Sequence, residues 1–252
     1  NIFILYNSNY SLVNIIQANF FGSIYLHERK IDLILLNKYI IDMSVLNKVK
    51  QIKSFIHGIV KTDIIEPGIV FTKPGSITYM LRGKRASSQS VSVKMGKIGE
   101  KTFKYIIENF SEYKLLQCGV QLIAKKNKKK DFDLVFEDAI NKVIYFRELK
   151  SNIELDSEKI VSTFEKVDGE LKEWLETKYP TYNIDVGILN WSIYNRNIPQ
   201  LKTKPHIKKC EKNNVKVDHI EDMFKLTDLK WEQEDWDKFW LEIGSEIDKI
   251  FE

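Results

Sequence analysis

The chain has 252 residues, 43% of them hydrophobic and 29% charged, which fits a globular protein with one large domain, or a core domain and an arm. Its formal net charge of +4, from 39 Lys and Arg against 35 Asp and Glu, permits a polyanionic partner without demanding one. Cys118 and Cys210 lie far apart and the four histidines are scattered, which excludes a disulfide scaffold and the common zinc motifs and fits a reducing cytoplasm. No apolar run reaches the roughly 18 residues of a membrane span, and Ile2–Tyr6 is too short to read as a signal peptide.

Residues 1–71 are apolar and rich in asparagine, and read as a largely helical structural or dimerisation region. Leu12 to Phe21 predicts a helix with Ser11 as its cap. Ile31 to Leu36 fits a strand or a short buried helix equally, and Val45 to Ile59 has helical spacing.

The stretch 72–97 changes character. It holds Lys73, Arg82, Lys84, Arg85, Lys94 and Lys97, no acid, and many Gly, Ser, Thr and Pro residues, so it reads as loop. Such residues suit phosphate contacts, and Arg and Gln can also read base edges. Arg82, Lys84, Arg85, Gln89, Lys94 and Lys97 are the candidates here, with a solvated basic linker as the alternative.

Gly99 to Phe110 predicts an amphipathic helix, with Phe103, Ile106, Ile107 and Phe110 on one face. Glu100 would then lie in its first turn, where the helix dipole favours an acid. Leu115 to Ile123 predicts a strand, and the lysine-rich run 125–130 a solvated loop.

Residues 131–150 carry the chemistry. Leu134-Val135-Phe136 and Val143-Ile144-Tyr145-Phe146 predict two short strands, with turn residues at Asp138–Asn141 between them. Side chains alternate along a strand, so Glu148 and Lys150 share one face and Leu149 takes the other. If the strands pair as a hairpin, Asp133 approaches Glu148. Two carboxylates held close repel each other unless a cation lies between them, and hard oxygen donors suit Mg²⁺ or Mn²⁺. The chemistry implied is metal-dependent hydrolysis of a phosphodiester.

Further on, Leu155 to Leu175 predicts one long helix with the apolar stripe Ile160, Phe164, Val167, Leu171, Trp174 and Leu175. Ile184 to Tyr194 predicts a strand returning to the same sheet. Residues 195–216 read as a second basic loop, with Arg196, Lys202 and Lys204 as DNA-contact candidates. Val215 to Asp218 fits an edge strand. The tail carries Trp236, Phe239, Trp240, Ile243 and Ile247 at helical spacing, as a core or dimer stripe.

The order acid, apolar strand, turn, apolar strand, Glu148-Leu149-Lys150 resembles the PD-(D/E)xK nuclease superfamily, and within it the type II restriction endonucleases. Phe132 stands where that family has Pro, which leaves the choice between Asp131 and Asp133 open; Asp133 is preferred because it directly precedes the apolar run. The continuation Ser151-Asn152 into a helix also looks like these enzymes, and adds Asn152 to the DNA-contact candidates.

The resemblance implies an α/β fold: a central mixed β-sheet flanked by helices, a restriction-endonuclease-like core, over residues 72–252. It implies cleavage of double-stranded DNA at a short specific sequence, with Asp133 and Glu148 on Mg²⁺, for which Mn²⁺ can substitute, and Lys150 assisting the water. Glu100 matches a family glutamate that lies near the metal in the helix before the catalytic sheet. A homodimer and a cognate methyltransferase acting on the same site are the partners implied. The alternatives are a repair or recombination nuclease of the same fold, such as a junction resolvase, and a DNA-binding module that does not cut.

Overall fold

The computed structural model describes residues 33–66, 77, 80, 88–123, 128–151, 153, 160–192 and 205–249. The chain divides into two compact units, 1–43 and 44–252. The helix predicted over Leu12 to Phe21 lies outside the described residues. The ambiguous Ile31–Leu36 run is resolved as helix from Leu33 onward, at the start of α1 (Leu33–Val60).

The second unit is α/β. A five-stranded mixed sheet runs in the order β1 (Lys114–Leu115), β4 (Leu134–Asp138), β5 (Val143–Lys150), β6 (Asn183–Asn190), β7 (Val217–His219). A separate two-stranded ribbon pairs β2 (Gly119–Ile123) with β3 (Lys128–Phe132). The strand expected over Leu115–Ile123 is therefore two strands in two sheets. Likewise Lys128, Lys129 and Lys130, expected in a loop, are ladder residues of β3, where pairing across β2 overrides their poor strand propensity.

The β4–β5 hairpin follows from its turn. The Asp138 carboxylate accepts the backbone N–H groups of Ile140 (3.1 Å) and Asn141 (2.9 Å) and the Asn141 side-chain amide (2.7 Å). Lys142 takes a left-handed conformation (φ 54°). These bonds to its ionised form, that from the Asn141 backbone foremost, hold the Asp138 carboxyl below the usual range. The turn sets the register: Asp138 faces Val143, and Leu134 faces Arg147.

β5 and β6 run parallel, Lys150 beside Asn190, joined by the crossover α3 (Ile160–Glu165), a five-residue π-helical turn (Lys166–Glu170) and α4 (Leu171–Lys178). The single regular helix expected here is thus interrupted, with Gly169 at φ −116°, ψ −109° inside the break.

Helices cover both faces of the sheet. On one, Ile52 and Ile56 of α1, Phe103 and Ile106 of α2 (Ser88–Phe110), and Trp236, Phe239 and Ile243 of α7 (Gln233–Asp248) close over Leu134, Phe136 and Leu189. On the other, Val167, Leu171 and Leu175 with Ile207 and Cys210 of α5 (Pro205–Lys212) close over Val135, Ile144, Phe146, Ile188 and Val217. A short helix, α6 (Ile220–Leu226), follows β7 and adds Phe224 to the first layer. The tail aromatics are core. Burying each such side chain stabilises the fold by about 1.5–3 kcal/mol. Among the described residues, no helix is long and apolar enough to cross a membrane.

Two expected loops are partly helical. From Ser88 onward the first basic stretch belongs to α2, because half-buried Val91 and Met95 and buried Ile98 extend the stripe of Phe103 and Ile106 backward at helical spacing. In the second, Pro205 opens α5, and Ile207 and Cys210 bury one of its faces.

On the first layer's side of β5, buried Arg147 is held by two strands. Its Nε donates to Asp218 Oδ2 (2.6 Å), and its Nη1 donates to the carbonyls of Phe146 (2.9 Å) and Asp185 (2.8 Å). Its Nη2 lies 2.8 Å from Asp185 Oδ1, an ionic contact. Arg147→Ala leaves two carboxylates without their buried partner and should cost about 3–5 kcal/mol, read as a lower midpoint in urea unfolding.

Candidate functional site

Asp133 sits at the bend between β3 and β4, and Glu148 near the end of β5. The antiparallel register sets these ends side by side, and Asp133 Oδ2 accepts the backbone N–H of Leu149 at 2.9 Å. Side chains at 144, 146, 148 and 150 share a sheet face, as alternation requires: Ile144 and Phe146 are in the second apolar layer, whereas Tyr145 and Leu149 pack on the first. Asp133 and Glu148 are thus neighbours, and Lys150 lies against Glu148 on the same face. The neighbouring acid, Asp131, is exposed on the β2–β3 ribbon opposite Val120.

Burial is the main force on Asp133. It pushes the carboxyl up to about 7, and the negative charge of Glu148 adds to the shift; Lys166 and the Leu149 N–H oppose it, and Glu100 raises it further. Glu148, only 6% exposed, is held by two lysines. Lys150 Nζ lies 3.4 Å from its Oε1, and Lys166 Nζ forms an ion pair with its Oε2. Two carboxylates and two ammonium groups therefore share one half-dry corner.

Glu100 is not in a first helical turn, because α2 begins at Ser88; the helix-dipole explanation for its placement falls away. Its Oε2 lies 3.4 Å from Lys104 Nζ, one turn on. The helix comes close to the sheet at Gly99, where a Cβ would stand 2.5 Å from the Trp191 ring. No larger residue fits without moving that ring, so Gly99 fixes how near α2 comes to Trp191.

Sequence reasoning missed three participants. Lys166 is the most important: it follows Glu148 by 18 residues, on the crossover, and only the parallel β5–β6 return makes them neighbours. The others, Asn190 and His219, extend the row beyond Lys150. Asn190 is buried beside Lys150 in the ladder; its Nδ2 lies 3.2 Å from His219 Nδ1, and its Oδ1 accepts the Ser192 hydroxyl at 2.7 Å. Polar residues at the C-terminal ends of parallel strands were the available cue.

Of the DNA-contact candidates, Gln89, Lys94 and Lys97 fall among the described residues. Lys97 is exposed on α2, whereas Lys94 Nζ donates to the Asp63 carbonyl at 2.5 Å. Gln89 lies in the first turn of α2. Arg82, Lys84, Arg85, Asn152, Arg196, Lys202 and Lys204 lie outside the described residues.

Among the described residues, no three His, Cys, Asp or Glu side chains gather as a metal centre. Among the described residues, the groups that fit a cation are the pair Asp133 and Glu148, the first a half-buried carboxylate whose ionisation its neighbour opposes. A site of two carboxylates, completed by water and substrate oxygens, matches the coordination habit of Mg²⁺. No family model matches the chain, and no curated protein or solved structure matches it either.

A titration follows from Asp133. Its folded pKa lies above its ordinary value of 3.8, so the proton held at low pH stabilises the fold, and this contribution is lost as pH rises through about 7. In EDTA, the thermal midpoint of the wild type should fall between pH 5 and 8, and that of Asp133→Asn should fall less.

Proposed function

We propose that this chain is a Mg²⁺-dependent endonuclease that hydrolyses phosphodiester bonds in double-stranded DNA at a short sequence, as a type II restriction enzyme does. The observation that carries the reading is the pair of half-buried Asp133 and buried Glu148, with Lys150 beside Glu148 at the end of β5. Clustered, mutually repelling carboxylates facing a polyanionic substrate have no use in a module that only binds DNA. A homodimer acting in the cytoplasm, with a cognate methyltransferase protecting the same site, belongs to this reading.

Each residue has a part that its surroundings support. Asp133 and Glu148 would hold the cation, which would supply Lewis acidity toward a phosphoryl oxygen and a more acidic water. The Leu149 N–H keeps Asp133 oriented toward Glu148. Lys150 is 17% exposed and so reaches solvent; it orients the attacking water and stabilises the negative charge that develops on the phosphorus oxygens. Glu100 adds negative field next to Asp133. Lys97 and the basic residues before α2 track the phosphate backbone, a contact that weakens with salt.

Purified protein incubated with unmethylated phage DNA should give discrete fragments in Mg²⁺ or Mn²⁺ and none in EDTA. Glu148→Gln and Lys150→Ala should each lower the cleavage rate by about 10²-fold or more while leaving duplex binding in Ca²⁺ largely intact. Intact DNA at every protein concentration would sink duplex cleavage; branched DNA cut in its place would identify a resolvase.

A further inference from the structure

Lys166 has no role in the reading above, yet it is ion-paired directly to one of the two carboxylates. It belongs to the π-helical turn Lys166–Glu170, which two ion pairs clamp to the strands. Lys166 holds Glu148 of β5, and Lys130 of β3 holds Glu170 at 2.8 Å. The widened turn and the break at Gly169 aim the ammonium at the carboxylate pair, and its positive charge also acts on Asp133. At 20% exposure it is neither sealed in the core nor open to bulk solvent.

With both carboxylates ionised, Asp133 and Glu148 carry two negative charges and Lys150 and Lys166 two positive charges, so these four groups balance. A divalent cation on the two carboxylates leaves an excess of two positive charges, which repel one another at contact distance. Lys166, at the end of a flexible four-carbon stem, can leave Glu148, and a phosphodiester oxygen of a bound substrate would offer it a new anion.

We infer that Lys166 is a displaceable internal counter-ion: it occupies the place of the divalent cation on Glu148 while the site is empty, and binds a substrate phosphate oxygen once the cation displaces it. The inference rests on the nuclease reading, and it adds a phosphate-binding residue that the sequence motif does not contain.

The test uses the whole chain with Mn²⁺ alone, followed by electron paramagnetic resonance of the free ion, and then a short mixed-sequence DNA duplex in Ca²⁺. Glu148→Gln should weaken Mn²⁺ binding. Lys166→Met should tighten it by roughly three- to thirtyfold, since a competing positive charge has gone. Lys166→Gln, which retains a hydrogen-bond donor for Glu148, should tighten it in the same direction, and Lys166→Arg should not. Thermal unfolding checks that each variant folds. Both neutral variants should bind the duplex more weakly in Ca²⁺, with a salt slope about one smaller than that of the wild type. Mn²⁺ binding that Glu148→Gln weakens but the neutral Lys166 variants leave unchanged or weaken overturns the role of Lys166 alone. Duplex affinity that does not fall in those variants overturns the phosphate contact. No Mn²⁺ binding by the wild type overturns the site reading itself, and this inference with it.

Discussion

The bond from the Leu149 N–H to Asp133 Oδ2 is the constraint on which the site depends. Asp133 ends one ribbon and opens the next hairpin, and Leu149 lies sixteen residues away near the far end of β5. Their meeting requires the register that places Leu134 opposite Arg147, and the Asp138 turn sets that register. A slip of one residue would send Glu148 to the face that Arg147 occupies and bring the guanidinium to Asp133. Turn chemistry, strand pairing and site geometry are therefore one requirement met three times.

This arrangement opposes its own stability. A half-buried carboxylate such as Asp133, beside a second one, is costly to ionise, and the Leu149 N–H and the charge of Lys166 do not offset the whole of that cost. The two apolar layers do. Phe103, Trp236 and Phe239 on one side and Val167, Leu171 and Leu175 on the other enclose the sheet, so β5 cannot yield to the repulsion. Arg147 adds a second restraint by tying β5 to β6 and β7 through Asp185 and Asp218. Strain of this kind at one corner of an otherwise consistent fold is where a function is expected.

Much of this was legible in the residues. Apolar runs rich in β-branched and aromatic residues, with turn residues between them, identified β4 and β5, alternation gave the shared face of Glu148 and Lys150, and the stripe through Trp236 and Phe239, legible as core or dimer surface, is core. What failed did so for local reasons. Serine and glutamine at the start of α2 resembled a loop because the stripe there is sparse, and the lysines of β3 resembled a solvated run because strand pairing is not local. Lys166 could not have been found by spacing: the crossover that returns it to Glu148 is a property of the sheet, not of the sequence around either residue.

The Trp191 ring, seated on Gly99, gives the protein an optical property of its own. Its backbone N–H donates to the Lys150 carbonyl at 3.1 Å, and its indole touches the turn of α2 that carries Glu100. Its centroid lies 5.5 Å from Trp240 and 6.5 Å from Trp236, close enough for excitation to pass among the three rings. The emission of this cluster is thus wired to the backbone on both sides of the carboxylates, and a change of spacing between α2 and the end of β5 alters the light the unlabelled protein gives back.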